Sequence, residues 1–143
     1  MERTIRSTRS NTWQGSNWIR QDKRLAIMMR DGLHCMVCGK GVENGASLTL
    51  DHITPASVCS KPKNGANNLY TCCSTCNSSR GNRLLVEWMK EQRPTDWQER
   101  ILTINHNRHQ GIAANRKFAN EILQTRSITR YTGNGHCITV QGA

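Results

Sequence analysis

Large apolar side chains are scarce in this chain of 143 residues. Leu, Ile, Val and Phe occupy 25 positions, about 17%, under the roughly 20% level at which a charged sequence becomes a candidate for disorder. Apolar burial alone is a thin source of stability. Aromatics are few as well, 5% of the chain with a single Phe, so stacking of bases on aromatic platforms is a poor candidate for its main binding device. No apolar run exceeds the five residues Leu25 to Met29, which excludes a membrane-spanning helix and predicts no membrane association. The Met1-Glu2-Arg3 start lacks the apolar stretch of a secretory signal, so the expectation is a cytoplasmic, reducing location.

Negative charge is the other shortage. Ten Asp and Glu face twenty Lys and Arg, giving a net charge of +10, and the excess divides as +4 over residues 1–34, +1 over 35–76 and +5 over 77–143. Both ends are basic, and Arg outnumbers Lys, which suits two-pronged contact with phosphate. The partner this charge points to is a polyanion, nucleic acid ahead of a membrane surface.

What the chain does have is cysteine, seven in all. Cys35-x-x-Cys38 and Cys73-x-x-Cys76 are two short-spaced pairs, the arrangement by which two knuckles close a tetrahedral thiolate site on Zn²⁺. In a reducing compartment such clusters more often bind metal than form disulfides. Four Cys leave no open coordination position, so the site is expected to be structural, and it supplies on the order of 10–16 kcal/mol that the small core lacks. Cys72 serves in place of Cys73 with one more spacer residue, so two registers fit. Cys59 and Cys137 have no partner at metal spacing and read as small apolar groups.

Along the chain, residues 1–16 form a basic arm carrying Arg3, Arg6 and Arg9, suited either to a minor groove or to solvent. A helix is expected over about 17–31, stopped by Asp31-Gly32, and strands over Leu48 to Ile53 and Leu69 to Cys72 with a loop at 54–67 between them. One helix follows from about Asn77 to Gln92, with Leu84, Leu85, Trp88 and Met89 toward the core, closed by Pro94. Thr95 and Gln98 read as a capping box for a helix with Trp97, Ile101 and Ile104 on one face. A further helix spans Ile112 to Arg126 with Ala114, Phe118 and Ile122 on one side, and Ile128 to Val140 alternates as a hairpin around Gly133-Asn134-Gly135.

Arg30-Asp31-Gly32, Cys35-x-x-Cys38-Gly39, Asp51-His52-Ile53-x-Pro55, Asn68-Leu69 and Cys73-x-x-Cys76-Asn77-x-x-Arg80-Gly81, taken together and in order, resemble the HNH endonucleases, the zinc-knuckle branch of the ββα-metal nucleases. The resemblance covers about residues 17–92. It implies an α+β fold, a small ββα-metal (HNH) core stapled by a four-cysteine zinc site; the residue patterns add an N-terminal helix and a helical C-terminal extension over 93–143, which the resemblance does not reach. It implies metal-dependent hydrolysis of DNA phosphodiester bonds, by nicking or double-strand cutting, in a prokaryotic or phage-infected cell, where phage packaging, restriction and mobile-element homing are the usual settings.

The roles follow from that chemistry. Hydrolysis needs a base for the attacking water, a cation for the charge on the phosphate, and a clamp on the backbone. His52, with an ordinary pKa near 6.5, reads as the base; Asp51 and, at the last motif position, Asn77 as oxygen ligands of Mg²⁺ or Mn²⁺. Asn68 matches the middle Asn that fixes the loop carrying the base. Arg80, sharing a helical face with Asn77 and Gly81, reads as the phosphate clamp. Neighbours on an ideal strand point to opposite faces, so Asp51 and His52 need a twist before Pro55 to serve one phosphate. His34, His106, His109 and His136 lack such a context. The alternative is a zinc-stabilised nucleic-acid-binding module without catalysis, and a protein partner or self-association stays open.

Overall fold

Residues 18–55 and 64–131 are described by the computed structural model, the last six of them by backbone alone. The arm over 1–16, Cys59, Cys137 and the turn at 133–135 lie outside them. Among the described residues the chain forms five helices and one two-stranded antiparallel sheet, an α+β arrangement.

Helix α1 spans Gln21–Arg30, with Asp22 in its first turn and Arg30 in its last, the charge placement that a helix dipole favours. It stops where expected. The Leu33 N–H reaches back to the Met28 carbonyl at 2.8 Å and Gly32 N–H to Met29 at 3.1 Å, a cap that needs the positive φ of +89° that Gly32 adopts. Strands β1 (Leu48–His52) and β2 (Leu69–Cys73) pair antiparallel, Leu50 opposite Thr71, Asp51 opposite Tyr70 and His52 opposite Leu69. Every residue of β2 is buried.

Where one helix over 77–92 was expected, there are two, α2 at Ser74–Arg80 and α3 at Leu85–Gln92. The break is at Gly81, whose φ of +60° and ψ of −129° belong to a region that residues with a Cβ avoid. Asn77 therefore lies inside α2 instead of opening a helix. Leu84, expected in the core, precedes α3 and is half-exposed, while Leu85, Trp88 and Met89 are buried as expected. Helix α4 spans Trp97–Arg108 and starts one residue later than the capping box predicts, with Asp96 as its N-cap residue. Helix α5 runs from Ala113 through Tyr131, so residues 128–131 are helical where a strand was expected. Its buried residue is Ala119, and Phe118 is exposed; apolar spacing alone misplaced that face.

The described residues fall into two compact units. One comprises 18–26 and 113–131; in it Arg116 pairs with Asp22 at 2.9 Å and Ile19, Ala26 and Ala119 are buried. The other, 27–112, holds the sheet and a core of Met36, Val37, Tyr70, Cys72, Leu85, Trp88, Met89 and Ile104. Ile104 brings α4 into this core, although the sequence reading put everything past Pro94 into an extension.

Within 27–112 a buried ion pair joins three elements. Arg30 Nε donates to Asp31 Oδ1 at 2.9 Å, and the guanidinium also reaches the carbonyls of Ala66 at 2.9 Å and Leu69 at 2.8 Å. Asp31 accepts from the Thr71 N–H and hydroxyl, both at 2.9 Å, and from Asn107 at 3.2 Å. Asp31-Gly32 is thus more than a helix stop. Asp31→Ala would leave the Arg30 charge buried and uncompensated, so a loss of about 3–5 kcal/mol is expected in urea unfolding, against little change for Glu91→Ala, whose pair with Arg83 is exposed.

At the start of α4 the sign of a pH effect is fixed by geometry. Arg93 and then Arg100 hold the Asp96 carboxyl down to about 2, below its ordinary value. Its contribution to stability is therefore present above pH of about 4 and lost as pH falls toward about 2. The melting-temperature difference between the parent chain and Asp96→Asn should shrink over that interval and stay constant above it.

Candidate active site and metal centre

The two Cys-x-x-Cys pairs meet. Cys35 and Cys38 lie on a turn in which the Lys40 carbonyl accepts from Cys35 N–H at 2.8 Å, and Gly39 takes the positive φ of +83° that the turn requires. Cys73 ends β2 and caps α2, its Sγ accepting from Cys76 N–H at 3.4 Å. The sulfurs of Cys35, Cys38, Cys73 and Cys76 all lie within 4.8 Å of one another, and Cys38 and Cys73 are 3.8 Å apart. A tetrahedron of Zn–S bonds of about 2.3 Å places its sulfurs about 3.8 Å apart, so the donors fit zinc. Cys72 is excluded from the set. Its side chain alternates to the other side of β2, fully buried in the core, and burial pushes its thiol well above the usual range.

The electrostatics of the cluster call for a cation. Burial, followed by the charge of neighbouring Cys35, pushes the Cys76 thiol up, and burial raises Cys35. Burial opposes the Cys73 thiolate too, but the Cys76 N–H and the adjacent thiols outweigh it and lower its pKa. The Cys73 thiolate is favoured and those of Cys35 and Cys76 are penalised. A divalent ion reverses that penalty.

At the far end of β1 from this cluster are Asp51 and His52. The Asp51 carboxylate accepts from the Tyr70 hydroxyl at 3.2 Å and Arg80 Nη1 at 2.9 Å on Oδ2, and from the His52 N–H at 2.8 Å on Oδ1. Tyr70 is the cross-strand partner of Asp51. Burial, with the charges of Cys72 and Asp51, keeps its phenol pKa well above the ordinary value, so it stays a neutral donor. His52 points its ring to Asn64, Nε2 lying 2.8 Å from Oδ1. Asn68 is buried and ties down the chain just past His52: its Oδ1 accepts from Thr54 N–H at 2.9 Å, and its carbonyl accepts from Ile53 N–H at 2.8 Å.

Arg80 corrects the sequence reading. Its side chain is wholly buried and donates inward, to Asp51, to the carbonyls of His52 at 2.6 Å and Ile53 at 3.0 Å, and through Nε to the Arg83 carbonyl at 2.8 Å. A guanidinium so committed is no phosphate clamp; it locks the carboxylate and the end of β1 to α2. Helical spacing gave Arg80 the right neighbours but the wrong direction, because the sheet side of α2 and the substrate side cannot be told apart by periodicity.

Asn77 sits half-exposed on α2, its amide making no hydrogen bond to another described residue. Each carboxylate oxygen offers two acceptor sites; among the described residues Oδ2 of Asp51 uses two and Oδ1 one. Asp51 Oδ1 and the amide oxygen of Asn77 are hard-oxygen donors of the type Mg²⁺ takes. Sequence reasoning passed over Tyr70 and Asn64. The register of β1 against β2 points to Tyr70, whereas nothing in the sequence singled out Asn64.

A family model described as HNH endonuclease matches residues 35–91. No curated protein matches the chain.

Proposed function

We propose, from the match of residues 35–91 to a family model described as HNH endonuclease, that the protein is a metal-dependent endonuclease that hydrolyses DNA phosphodiester bonds, built on a structural zinc site. The observation that carries the reading is the single strand end at which Asp51 and His52 are both held, the one by Arg80 and Tyr70, the other beside the Asn68 tether. A pure binding module has no use for a carboxylate and an imidazole fixed in this way. The net charge of +10 supports a polyanionic substrate. Among the described residues no helix is long and apolar enough to cross a membrane. A thiolate zinc site suits the reducing compartment that holds DNA.

His52 takes the proton of the attacking water, and Asn68 keeps the backbone past it from moving as it does so. Asp51 and Asn77 hold Mg²⁺ or Mn²⁺, which when bound supplies positive charge to the phosphate and the departing oxygen. Arg80 presents Asp51 in one orientation. The zinc ligands Cys35, Cys38, Cys73 and Cys76 fix the start of α2, on which Asn77 and Arg80 lie.

Arg80→Met separates the two roles weighed for that residue. Loss of a buried partner of Asp51 should lower stability by about 3 kcal/mol and cleavage by at least about 10-fold, with duplex affinity nearly unchanged below the unfolding temperature. A variant of parent stability whose duplex affinity falls by roughly 10-fold would restore the clamp. Urea unfolding and fluorescence anisotropy with a labelled duplex decide between them.

A further inference from the structure

The residue facing the imidazole of His52 lies outside every motif of the sequence. Asn64 follows the loop after Pro55, twelve positions from His52, and its Oδ1 is 2.8 Å from His52 Nε2. An amide oxygen can only accept, so Nε2 carries the hydrogen and donates it. The neutral ring then keeps its lone pair on Nδ1. Among the described residues, the charged groups bonded to the His52 main chain are the Asp51 carboxylate, which accepts from the His52 N–H, and the Arg80 guanidinium, which pairs with that carboxylate and donates to the His52 carbonyl. Tyr70, across the strand from Asp51, is the other titratable group on that side. These act on the main chain and carboxylate of β1, whereas the Asn64 contact is made to the ring itself.

We propose that Asn64 is a positioning residue for hydrolysis: it fixes the tautomer and rotation of His52 so that Nδ1 is the atom that takes the proton from the attacking water. The assignment rests on the nuclease reading, in which His52 is the base. Asn64 touches neither water nor phosphate in this account. It acts through the imidazole alone, as the group hydrogen-bonded to one ring nitrogen determines the role of the other.

The test uses the zinc-loaded full chain and nitrogen NMR of its histidine rings, alongside plasmid cleavage in Mg²⁺. The neutral His52 ring of the parent chain should be the Nε2–H tautomer. Asn64→Ala should turn it into a mixture of tautomers and slow cleavage on the order of 10-fold, with zinc content and thermal melting unchanged. Asn64→Asp should retain the Nε2–H form, since a carboxylate also accepts. An Nδ1–H ring in the parent chain overturns the proposal, as does an Asn64→Ala variant with parent tautomer and parent rate. If the tautomer responds as described but neither the parent nor any variant cleaves DNA, the contact stands and the nuclease reading fails.

Discussion

His52→Ala is expected to slow plasmid cleavage by roughly 10²–10⁴-fold or more, the contribution of a positioned base, while zinc content, melting temperature and duplex affinity remain those of the parent chain. The side chain is half-exposed at the end of β1 and lies outside the apolar core of the 27–112 unit, so its removal takes no large apolar group from that core. Arg80 bonds the His52 carbonyl, a main-chain contact that alanine keeps. Asp51→Ala should fail in a different way. It acts through the cation, so raising Mn²⁺ should recover part of its rate, whereas no concentration of metal should restore His52→Ala. Equal rescue of both would move His52 from base to ligand.

Removal of zinc is expected to have the largest effect on the fold. Cys35, Cys38, Cys73 and Cys76 join the knuckle after α1 to the junction of β2 and α2, and Cys35 and Cys73 are themselves part of the buried core. A structural site of this kind contributes on the order of 10–16 kcal/mol, as large as the roughly 5–15 kcal/mol by which whole domains are stable. Cys38→Ser, or a strong chelator on the parent chain, should abolish cooperative thermal unfolding and release one Zn²⁺ per chain. Elemental analysis together with circular dichroism checks this. A sharp transition in protein shown to be free of zinc would make the cluster a set of ordinary thiols.

Much of this was legible in the sequence because it depends on spacing. Two Cys-x-x-Cys pairs identify a four-sulfur site without any knowledge of the fold, and Pro55 and Gly32 mark ends that the chain observes. Asp51-His52 at a strand end is likewise a local pattern. What stayed hidden depends on direction or on distance along the chain. The face shared by Asn77 and Arg80 is visible from their spacing, but that Arg80 turns into the sheet to meet Asp51 is decided by burial. Gly81 breaks a helix whose apolar pattern would otherwise run on to Gln92. Asn64 sits in a stretch with no periodicity, and Asp31 reads as a helix stop because its partners Thr71 and Asn107 are 40 and 76 positions away. The choice between Cys72 and Cys73 needed the alternation of β2, which places one inside the core and the other at its edge.

The central claim is that the Asp51 and His52 constellation hydrolyses DNA with the help of a hard divalent cation. Purified chain with zinc verified to be bound should be incubated with supercoiled plasmid in Mg²⁺, in Mn²⁺, and in EDTA applied briefly enough for the zinc to stay in place. The account predicts nicked or linear product in Mg²⁺ and Mn²⁺, none in EDTA, and none above background for His52→Ala in any of the three. Plasmid that is bound but stays supercoiled in every metal, or His52→Ala cutting at the parent rate in Mg²⁺, would contradict it and leave a zinc-stapled DNA-binding module or a different active site.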